Sequence, residues 1–253
     1  MLERAGPAWD LMRPAYDAVL ARAFAGGLAR MINGTEPLRL PARCRNVPVV
    51  YEPAVWAALL DTVRPGDTFV DVGANVGLYA VAGARRVRPG RVIAFEPDAT
   101  NAELLRRTVT LNQVGDVVEV RQIALGRERG ELPFRSAQQQ SRFDADGSET
   151  VPMSTLDDEI GGCVDVLKID VEGFEGEVID GAANILSDAT RRPRAIFLET
   201  HAAVLAARGL EEALILDQLE RTGYRITELS QDAKLTRNLV AVLLDQSERF
   251  APR

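Results

Sequence analysis

The sequence contains little cysteine and no excess of positive charge. Its two cysteines, Cys44 and Cys163, lie far apart and in no Cys-x-x-Cys or Cys/His pattern. Neither a disulfide framework nor a structural zinc site is therefore indicated. Thirty basic side chains stand against 37 acidic ones, which gives a formal charge of -7 and a pI near 5.0. Because no overall field attracts nucleic acid or an anionic membrane surface, we expect neither as a partner.

Long apolar runs are missing as well. No uncharged stretch approaches the length of a membrane span, and the first residues, MLERAGPAWDLMRPAYD, carry charges and prolines where a signal peptide needs an apolar region. We therefore expect a cytoplasmic protein. The remaining composition, 46% hydrophobic and 26% charged over 253 residues, is typical of a soluble protein with one core.

Residues 66–244 alternate short β-branched runs with longer segments of helical periodicity. This alternation predicts an α/β fold with a doubly wound, mostly parallel sheet covered by crossover helices. The predicted strands are residues 68–72, 91–95, 117–123, 164–169 and 194–199, and the predicted helices are residues 77–87, 99–111, 175–186 and 210–222. Two last runs, residues 224–229 and 238–244, flank a polar stretch and predict a terminal antiparallel hairpin.

The segment before this unit predicts an N-terminal helical cap. Residues 8–31 are amphipathic and end near Asn33, and Pro53 suits the first turn of a second helix over residues 53–63. We expect the cap to comprise residues 1–50 and the main domain residues 51–253. Within that domain, residues 136–150 are polar and poor in large apolar side chains, so they predict a surface loop.

A glycine-containing turn follows the first predicted strand and opens a helix. Its residues Asp71, Gly73, Asn75 and Gly77 have the spacing Asp-x-Gly-x-x-x-Gly and not Gly-x-Gly-x-x-Gly. This position is where α/β proteins bind ligands, but the carboxylate of Asp71 repels a pyrophosphate and attracts an ammonium group. S-adenosylmethionine is a cofactor that carries such a group.

The ends of the next two strands supply further candidate cofactor ligands. Glu96 and Pro97 follow the second strand, and a carboxylate there can accept hydrogen bonds from both hydroxyls of a ribose. Ala124 follows the third strand, where an adenine would lie. A ribose-binding carboxylate serves NAD equally well, so the Asp71 turn and Glu96 discriminate between cofactors only as a pair.

Together these segments resemble a known family. The runs that carry the resemblance are DTFVDVGANVGLYA, FEPD, TLNQ, IALG, STLDD, VDVLKIDVEGFEGEVIDGA and FLETH. In this order they are similar to the FkbM family of S-adenosylmethionine-dependent methyltransferases, over roughly residues 50 to 229. The resemblance implies a Rossmann-like class I methyltransferase fold of seven strands and O-methylation of natural-product or sugar hydroxyls, with some members acting on carboxylates.

Acidic residues and the only histidine follow the fourth and fifth predicted strands. Side chains two apart on an extended chain point the same way, and neighbouring strands lie about 4.8 Å apart. Four side chains are therefore expected to converge beside the methionine end of the cofactor: Asp170, Glu172, Glu199 and His201. Asp170 is expected to contact the cofactor as well.

Transfer of a methyl group to an aliphatic hydroxyl requires a base that removes the proton. We predict His201 as that base, with Glu199 or Glu172 as its orienting partner or as an alternative base. The same groups can form a hard-metal site, with magnesium as the candidate. We do not favour it, because carboxylates near a sulfonium are explained by charge complementarity alone.

The sequence therefore predicts an S-adenosylmethionine-dependent O-methyltransferase that acts on a hydroxyl of a small-molecule natural product or sugar. The main alternative is a carboxyl O-methyltransferase, for which positioning alone can suffice. A NAD-dependent oxidoreductase and a non-catalytic cofactor-binding protein are the remaining alternatives. The sequence does not predict the oligomeric state.

Overall fold

The computed structural model describes residues 7–135, 142–143, 149–231 and 236–244. Within them the helices are α1 (Pro7–Ala23), α2 (Pro53–Thr62), α3 (Leu78–Val87), α4 (Ala99–Leu111), α5 (Leu156–Glu159), α6 (Glu175–Asp180), α7 (Ala183–Ser187), α8 (Ala202–Ala207) and α9 (Glu212–Arg221). The strands are β1 (Leu28–Ile32), β2 (Glu36–Leu40), β3 (Thr68–Val72), β4 (Arg91–Phe95), β5 (Val118–Arg121), β6 (Ala124–Leu125), β7 (Gly130–Arg135), β8 (Arg142–Phe143), β9 (Glu149–Ser154), β10 (Val166–Ile169), β11 (Ala195–His201), β12 (Tyr224–Gln231) and β13 (Thr236–Leu243).

Seven strands form the main sheet in the order β12-β13-β11-β10-β3-β4-β5. Strands β11, β10, β3, β4 and β5 run parallel to one another, whereas β13 runs antiparallel to β11 and to β12. This confirms the predicted parallel sheet and its terminal antiparallel hairpin. The carboxyl ends of β3, β4, β10 and β11 consequently meet at one edge of the sheet.

Helices cover both faces of this sheet, so its central strands are buried on both sides. Phe69 packs with α2, α3 and α4 on one face, while Val70 and Val72 pack with α6, α7 and α9 on the other. Every residue of β3 and β10 is buried. Strands that are buried on both faces are mostly apolar in a parallel sheet. This pattern is visible in the sequence, which made these strands predictable.

The N-terminal segment differs from the prediction. Helix α1 ends at Ala23, and residues predicted to continue it form the hairpin of β1 and β2. Gly27, in the left-handed region with φ +76, follows the helix, and Asn33 and Gly34 turn the hairpin with φ of +50 and +70. Ile32 pairs with Glu36, so Asn33, Gly34 and Thr35 form a three-residue turn, in which Asn and Gly readily adopt left-handed backbone. The predicted helical cap is therefore a helix followed by a hairpin.

A second, four-stranded sheet was not predicted. Its order is β6-β9-β7-β8, and it contributes buried Leu132, Phe134 and Val151. The predicted surface loop over residues 136–150 is wrong for residues 142–143 and 149–150, which are strands, and residues 136–141 and 144–148 lie outside the described residues. The predicted strand 117–123 ends at Arg121, before this small sheet begins.

Two glycines lie at helix ends. The predicted helix 175–186 is divided at Gly181, where no larger residue fits, because a Cβ there would lie 1.9 Å from the carbonyl oxygen of Gly126. Gly223 follows α9 with φ +94. In the part of the chain that the structure describes, no helix is both long and apolar enough to cross a membrane.

Candidate active site

A cleft of about 260 Å³ opens at the carboxyl edge of the main sheet, between β4 and β11. Leu132 and Phe134 of the small sheet line one side of it, and Tyr51 lies across it. Five of its described lining residues are acidic and none of them is basic. The acidic residues are Glu52, Glu96, Asp170, Glu172 and Glu199. This lining favours a ligand that carries positive charge.

The turn after β3 is held by its own hydrogen bonds. The backbone N–H groups of Gly73 and Ala74 donate to the carbonyl oxygen of Phe95, at 3.0 and 2.9 Å, and that of Gly77 donates to Ala74. The Asn75 N–H donates to Oε2 of Glu96 at 2.8 Å. These N–H groups are already committed, so they do not form a phosphate cradle. This geometry disfavours the dinucleotide alternative.

Gly73 makes the closest approach between the turn and the neighbouring strand end. It has φ +81, and a Cβ at this position would lie 1.7 Å from the carbonyl oxygen of Asp170. Gly73 and Asn75 both line the cleft. Gly77, with φ +91, instead begins α3 and packs against Leu105. Its role is therefore to place the turn, and it does not line the cleft.

Glu96 is buried at the cleft wall, where the sequence placed a ribose ligand. Its Oε2 accepts from Asn75 N and its Oε1 from Asp98 N, at 2.8 and 3.0 Å. Each carboxylate oxygen has a second lone pair for a ligand hydroxyl. Burial raises the pKa of Glu96 to about 7, although the N–H groups of Asp98 and Asn75 oppose the rise. Pro97 and Ala124 line the same part of the cleft.

Asp71 lies behind the cleft. It is fully buried and lines an adjoining cleft of about 200 Å³ together with Lys168, and neither of its carboxylate oxygens has a hydrogen bond that the structure describes. Burial raises the pKa of Asp71 to about 6, opposed mainly by the Lys168 ammonium. Asp170 lines both clefts and lies 3.0 Å from Lys168 Nζ. The contact predicted between Asp71 and an ammonium group stays a prediction.

The strand ends bring the predicted catalytic group together. Nε2 of His201 lies 3.4 Å from Oε2 of Glu172 and 3.7 Å from Oε1 of Glu199. Donor atoms of Asp170, Glu199 and His201 all lie within 4.8 Å of one another, which is a spacing that can hold a metal ion. Three of these residues, Asp170, Glu172 and Glu199, line the cleft.

A fourth carboxylate orients the histidine. Oε1 of Glu175 lies 2.8 Å from Nδ1 of His201 and also accepts from the backbone N of Gly173 at 2.8 Å. Sequence reasoning missed this residue. The sequence feature that could have indicated it is the second glutamate of the run VEGFE. This residue begins α6, three positions after Glu172.

The ionisation of this group follows from its surroundings. Burial lowers the pKa of His201, but the hydrogen bond to Glu175 and the charges of Glu175, Glu172 and Asp170 raise it to about 9. Burial and the carboxylates of Asp170 and Glu52 raise the pKa of Glu199. A ring that is protonated at neutral pH cannot accept a second proton. His201 can therefore accept a proton only in the fraction of molecules in which Nε2 is unprotonated.

Aromatic residues before β3 close the other side of the site. Tyr51 and Glu52 line the cleft, and Oε2 of Glu52 accepts a hydrogen bond of 2.8 Å from Tyr79. The Tyr79 ring lies 4.8 Å from Lys168 Nζ. Trp56 is buried in the core, with its ring centroid 4.9 Å from that of Tyr79. Tyr51 and Glu52 therefore belong to the site, whereas Trp56 supports it from below.

The main sheet has a Rossmann-like α/β topology, and comparison with known proteins specifies the family. The profile of the family described as methyltransferase FkbM domain matches residues 71–226, more than half of the chain. The chain belongs to the FkbM family of methyltransferases.

Curated relatives match over shorter stretches. The methyltransferase sdnD of Sordaria araneosa is 25% identical over 158 residues, which is 46% of this chain and 61% of that protein. A ribosomal protein L11 methyltransferase of Bacillus cytotoxicus is 40% identical over 68 residues, which is 27% of this chain and 22% of that protein. The match thus spans less than two thirds of either relative.

Solved structures confirm the fold. An FkbM methyltransferase from Methylobacillus flagellatus has a TM-score of 0.52 at 19% identity, covering 70% of this chain and 43% of that one. A putative rRNA methylase from Clostridium thermocellum also has a TM-score of 0.52, at 13% identity, covering 74% of this chain and 91% of that one. Since the fold is common to proteins with different acceptors, it does not select one.

Family membership implies S-adenosylmethionine as the cofactor, and the residues of the cleft fit it. Glu96 lies at the place predicted for a ribose, and each of its carboxylate oxygens accepts one hydrogen bond from the backbone and can accept another. The acidic lining complements a ligand that carries a sulfonium and an ammonium group. The backbone of Gly73 leaves no room for a side chain at the point where the cleft passes between β3 and β10.

Proposed function

We propose that this protein is an S-adenosylmethionine-dependent O-methyltransferase that acts on a hydroxyl of a small-molecule natural product or sugar. The observation that carries the proposal is the group formed by Glu172, Glu199 and His201 at the carboxyl edge of the sheet. When bound, S-adenosylmethionine supplies an activated methyl group. The chain's own residues then have to position an acceptor oxygen and remove its proton.

Glu96 is proposed to hold the ribose, and Asp170 to hold the methionine end of the cofactor. Asp170 is suited to this because it lines both clefts and adjoins the Gly73 turn. Leu132 and Phe134 of the small sheet give the cleft an apolar wall. This leaves the carboxylates of β10 and β11 for the acceptor.

A hydroxyl substrate is supported by the presence of groups that can take up the proton which the hydroxyl loses during methyl transfer. An alcohol is a very weak acid, so its oxygen becomes a good nucleophile only as the proton leaves. The Glu172, His201 and Glu199 group can receive that proton. Glu175 holds the ring of His201 so that Nε2 faces both carboxylates.

The charge of the cleft supports a neutral acceptor over an anionic one. Five carboxylates line it, so a carboxylate or phosphate acceptor meets repulsion that a sugar or alcohol avoids. For the same reason we propose a small molecule and no nucleic acid as the partner. The chain's formal charge of -7 acts in the same direction.

An acceptor screen tests this function. Release of S-adenosylhomocysteine is measured with matched panels of polyols, sugars, phenols and carboxylic acids. We expect turnover with a hydroxyl acceptor and a product that is stable to mild base. A product that releases methanol in base is a methyl ester, which would establish the carboxyl alternative.

Variants connect the activity to the site. His201→Ala and Glu199→Gln are expected to reduce turnover by about 100-fold while S-adenosylhomocysteine binding is kept. Glu103→Gln, an exposed change on α4, is the control and is expected to leave turnover unchanged. Full turnover in both site variants would contradict the proposed proton transfer.

A further inference from the structure

The two ring nitrogens of His201 have different surroundings. The residue is nine-tenths buried, and Nδ1 is anchored 2.8 Å from the fully buried carboxylate of Glu175. A carboxylate on this side holds a proton on Nδ1 and leaves Nε2 facing the carboxylates of Glu172 and Glu199. A carboxylate behind the ring is the usual arrangement around a histidine that binds a metal ion.

Nε2 faces carboxylate oxygens. It lies 3.4 Å from Glu172 and 3.7 Å from Glu199, and Asp170 completes a set of donors within 4.8 Å of one another. Lone pairs and negative charges at these distances repel, so the arrangement needs a positive charge among them. The Lys168 ammonium, 3.0 Å from Asp170, offsets part of this charge, and a proton on Nε2 or a metal ion can offset the rest. Both distances exceed the about 2.7–2.9 Å of a charge-assisted hydrogen bond, so a proton there is poorly shared.

The donor set also fits a metal ion. Around a first-row divalent cation with bonds of about 2.1 Å, adjacent ligand atoms stand about 3.0–3.4 Å apart. Nε2 of His201 lies 3.7 Å from Oε1 of Glu199, and the donor atoms of Asp170, Glu199 and His201 lie within 4.8 Å of one another, so small side-chain shifts bring all three onto one ion. Oδ2 of Asp170 also lies 3.0 Å from Lys168 Nζ, so an ion here shares this carboxylate with the ammonium group.

We propose that Nε2 of His201 and the carboxylates of Asp170 and Glu199 form a binding site for a divalent cation, with Mn²⁺ as the best-fitting type. Carboxylate oxygens suit both Mg²⁺ and Mn²⁺. The imidazole nitrogen favours a first-row transition ion such as Mn²⁺ over Mg²⁺. A cation here lowers the pKa of a hydroxyl that contacts it. That catalytic role rests on the proposed O-methyl transfer, whereas the binding site itself does not.

The single histidine of the chain makes the test direct. The full-length protein, labelled with ¹⁵N-histidine, shows only the His201 ring. Mn²⁺ is the probe, because Cys163 is exposed and thiolates select zinc. We expect substoichiometric Mn²⁺ to broaden the ring signals and electron paramagnetic resonance to count one bound ion. Addition of S-adenosylhomocysteine is expected to leave this binding in place.

Asp170→Asn and Glu199→Gln are expected to weaken Mn²⁺ binding by at least about tenfold, and Glu103→Gln is expected to leave it unchanged. Ring signals that stay sharp in excess Mn²⁺, or binding that survives both site variants, overturn the proposal. The wild-type experiment decides this even if a variant fails to fold. Intact Mn²⁺ binding without methylation of any hydroxyl acceptor would reject the proposed function and leave the metal site standing.

Discussion

Gly73 is the residue on which the cofactor turn depends most strongly. Its Cβ would lie 1.7 Å from the carbonyl oxygen of Asp170, and its φ of +81 is strained for other residues. We expect Gly73→Ala to lower the free energy of unfolding by at least about 2 kcal/mol, because backbone has to move to relieve the overlap. Thermal unfolding measures this, and S-adenosylhomocysteine binding is expected to be lost.

Gly66→Ala is the matched control for this change. Gly66 has a similar φ of +91, but no atom lies within 4 Å of a Cβ placed there. Gly66→Ala is therefore expected to lower the free energy of unfolding only through the left-handed backbone conformation, by about 1 kcal/mol, and to retain ligand binding. Equal destabilisation by the two substitutions would show that the contact with Asp170 is unimportant.

The ionisation of Glu96 predicts a pH dependence of cofactor binding. With a pKa of about 7, its carboxylate form falls from most of the population at pH 8 to a minor part at pH 6. If only the carboxylate accepts from both ribose hydroxyls, the Kd of S-adenosylhomocysteine rises about tenfold between pH 8 and pH 6. Isothermal titration calorimetry measures it, with Glu96→Gln as a weaker, pH-independent reference. A wild-type Kd that does not change with pH contradicts this role.

The same shift acts on stability in the opposite direction. The pKa of Glu96 is raised from 4.5, so the folded state holds the proton more tightly than the unfolded chain does. Stability from this group is therefore lost as the pH rises from about 4.5 through 7, and is regained when a ligand pairs with the carboxylate.

At the residue scale, sequence reasoning located positions better than it located partners. Asp170, Glu172, Glu199 and His201 converge as predicted, because strand ends in a parallel sheet share one edge. The partner of His201 was not predictable, since Glu175 reaches it from a helix start and not from a strand end. The burial of Asp71 beside Lys168 depends on the register of β3 against β10, and that register was not predictable from the sequence.

At the scale of elements, the run STLDD shows how a short motif fixes two helices. The side chain of Thr155 accepts from Asp158 N and caps α5, as its pattern predicts. Asp157 reaches further, since its carboxylate accepts from the backbone N of Asn184 and of Ile185, at 2.9 and 2.8 Å, at the start of α7. Loss of this cap leaves two N–H groups without their acceptor.

Asp157→Ala is therefore expected to lower the free energy of unfolding by about 1–2 kcal/mol. Asp158→Ala is the matched control, because that side chain is exposed and pairs with Arg129. Its effect is expected to be smaller. Chemical denaturation with urea compares the two, and a larger loss in Asp158→Ala would contradict the assignment of the cap.

Elements with one clear periodicity were predictable, and short elements were not. The central strands are apolar except for Thr68, Asp71 and Lys168 because both faces are covered, and the helices between them carry an apolar stripe. The small sheet escaped prediction because β6 and β8 have two residues each. The hairpin of β1 and β2 was not predicted because most of β1 was included in the predicted helix 8–31, although Asn33 and Gly34 marked the turn.

At the scale of the whole molecule, charge and topology act together. The net charge of the chain is -7, and the cleft at the carboxyl edge of the sheet is also lined by acidic residues. The division into residues 1–50 and 51–253 stays a prediction. Profile similarity begins at residue 71, so the segment that contributes Tyr51 and Glu52 to the cleft lies outside the part that defines the family.

The central claim is that this cleft binds S-adenosylmethionine, and thermal unfolding with two ligands tests it most directly. A ligand that binds only the folded state raises stability by mass action, by about 2.7 kcal/mol at 100 times its Kd. We predict that S-adenosylhomocysteine raises the unfolding temperature and that NADH does not. A rise with NADH alone, or with neither ligand, would contradict the account.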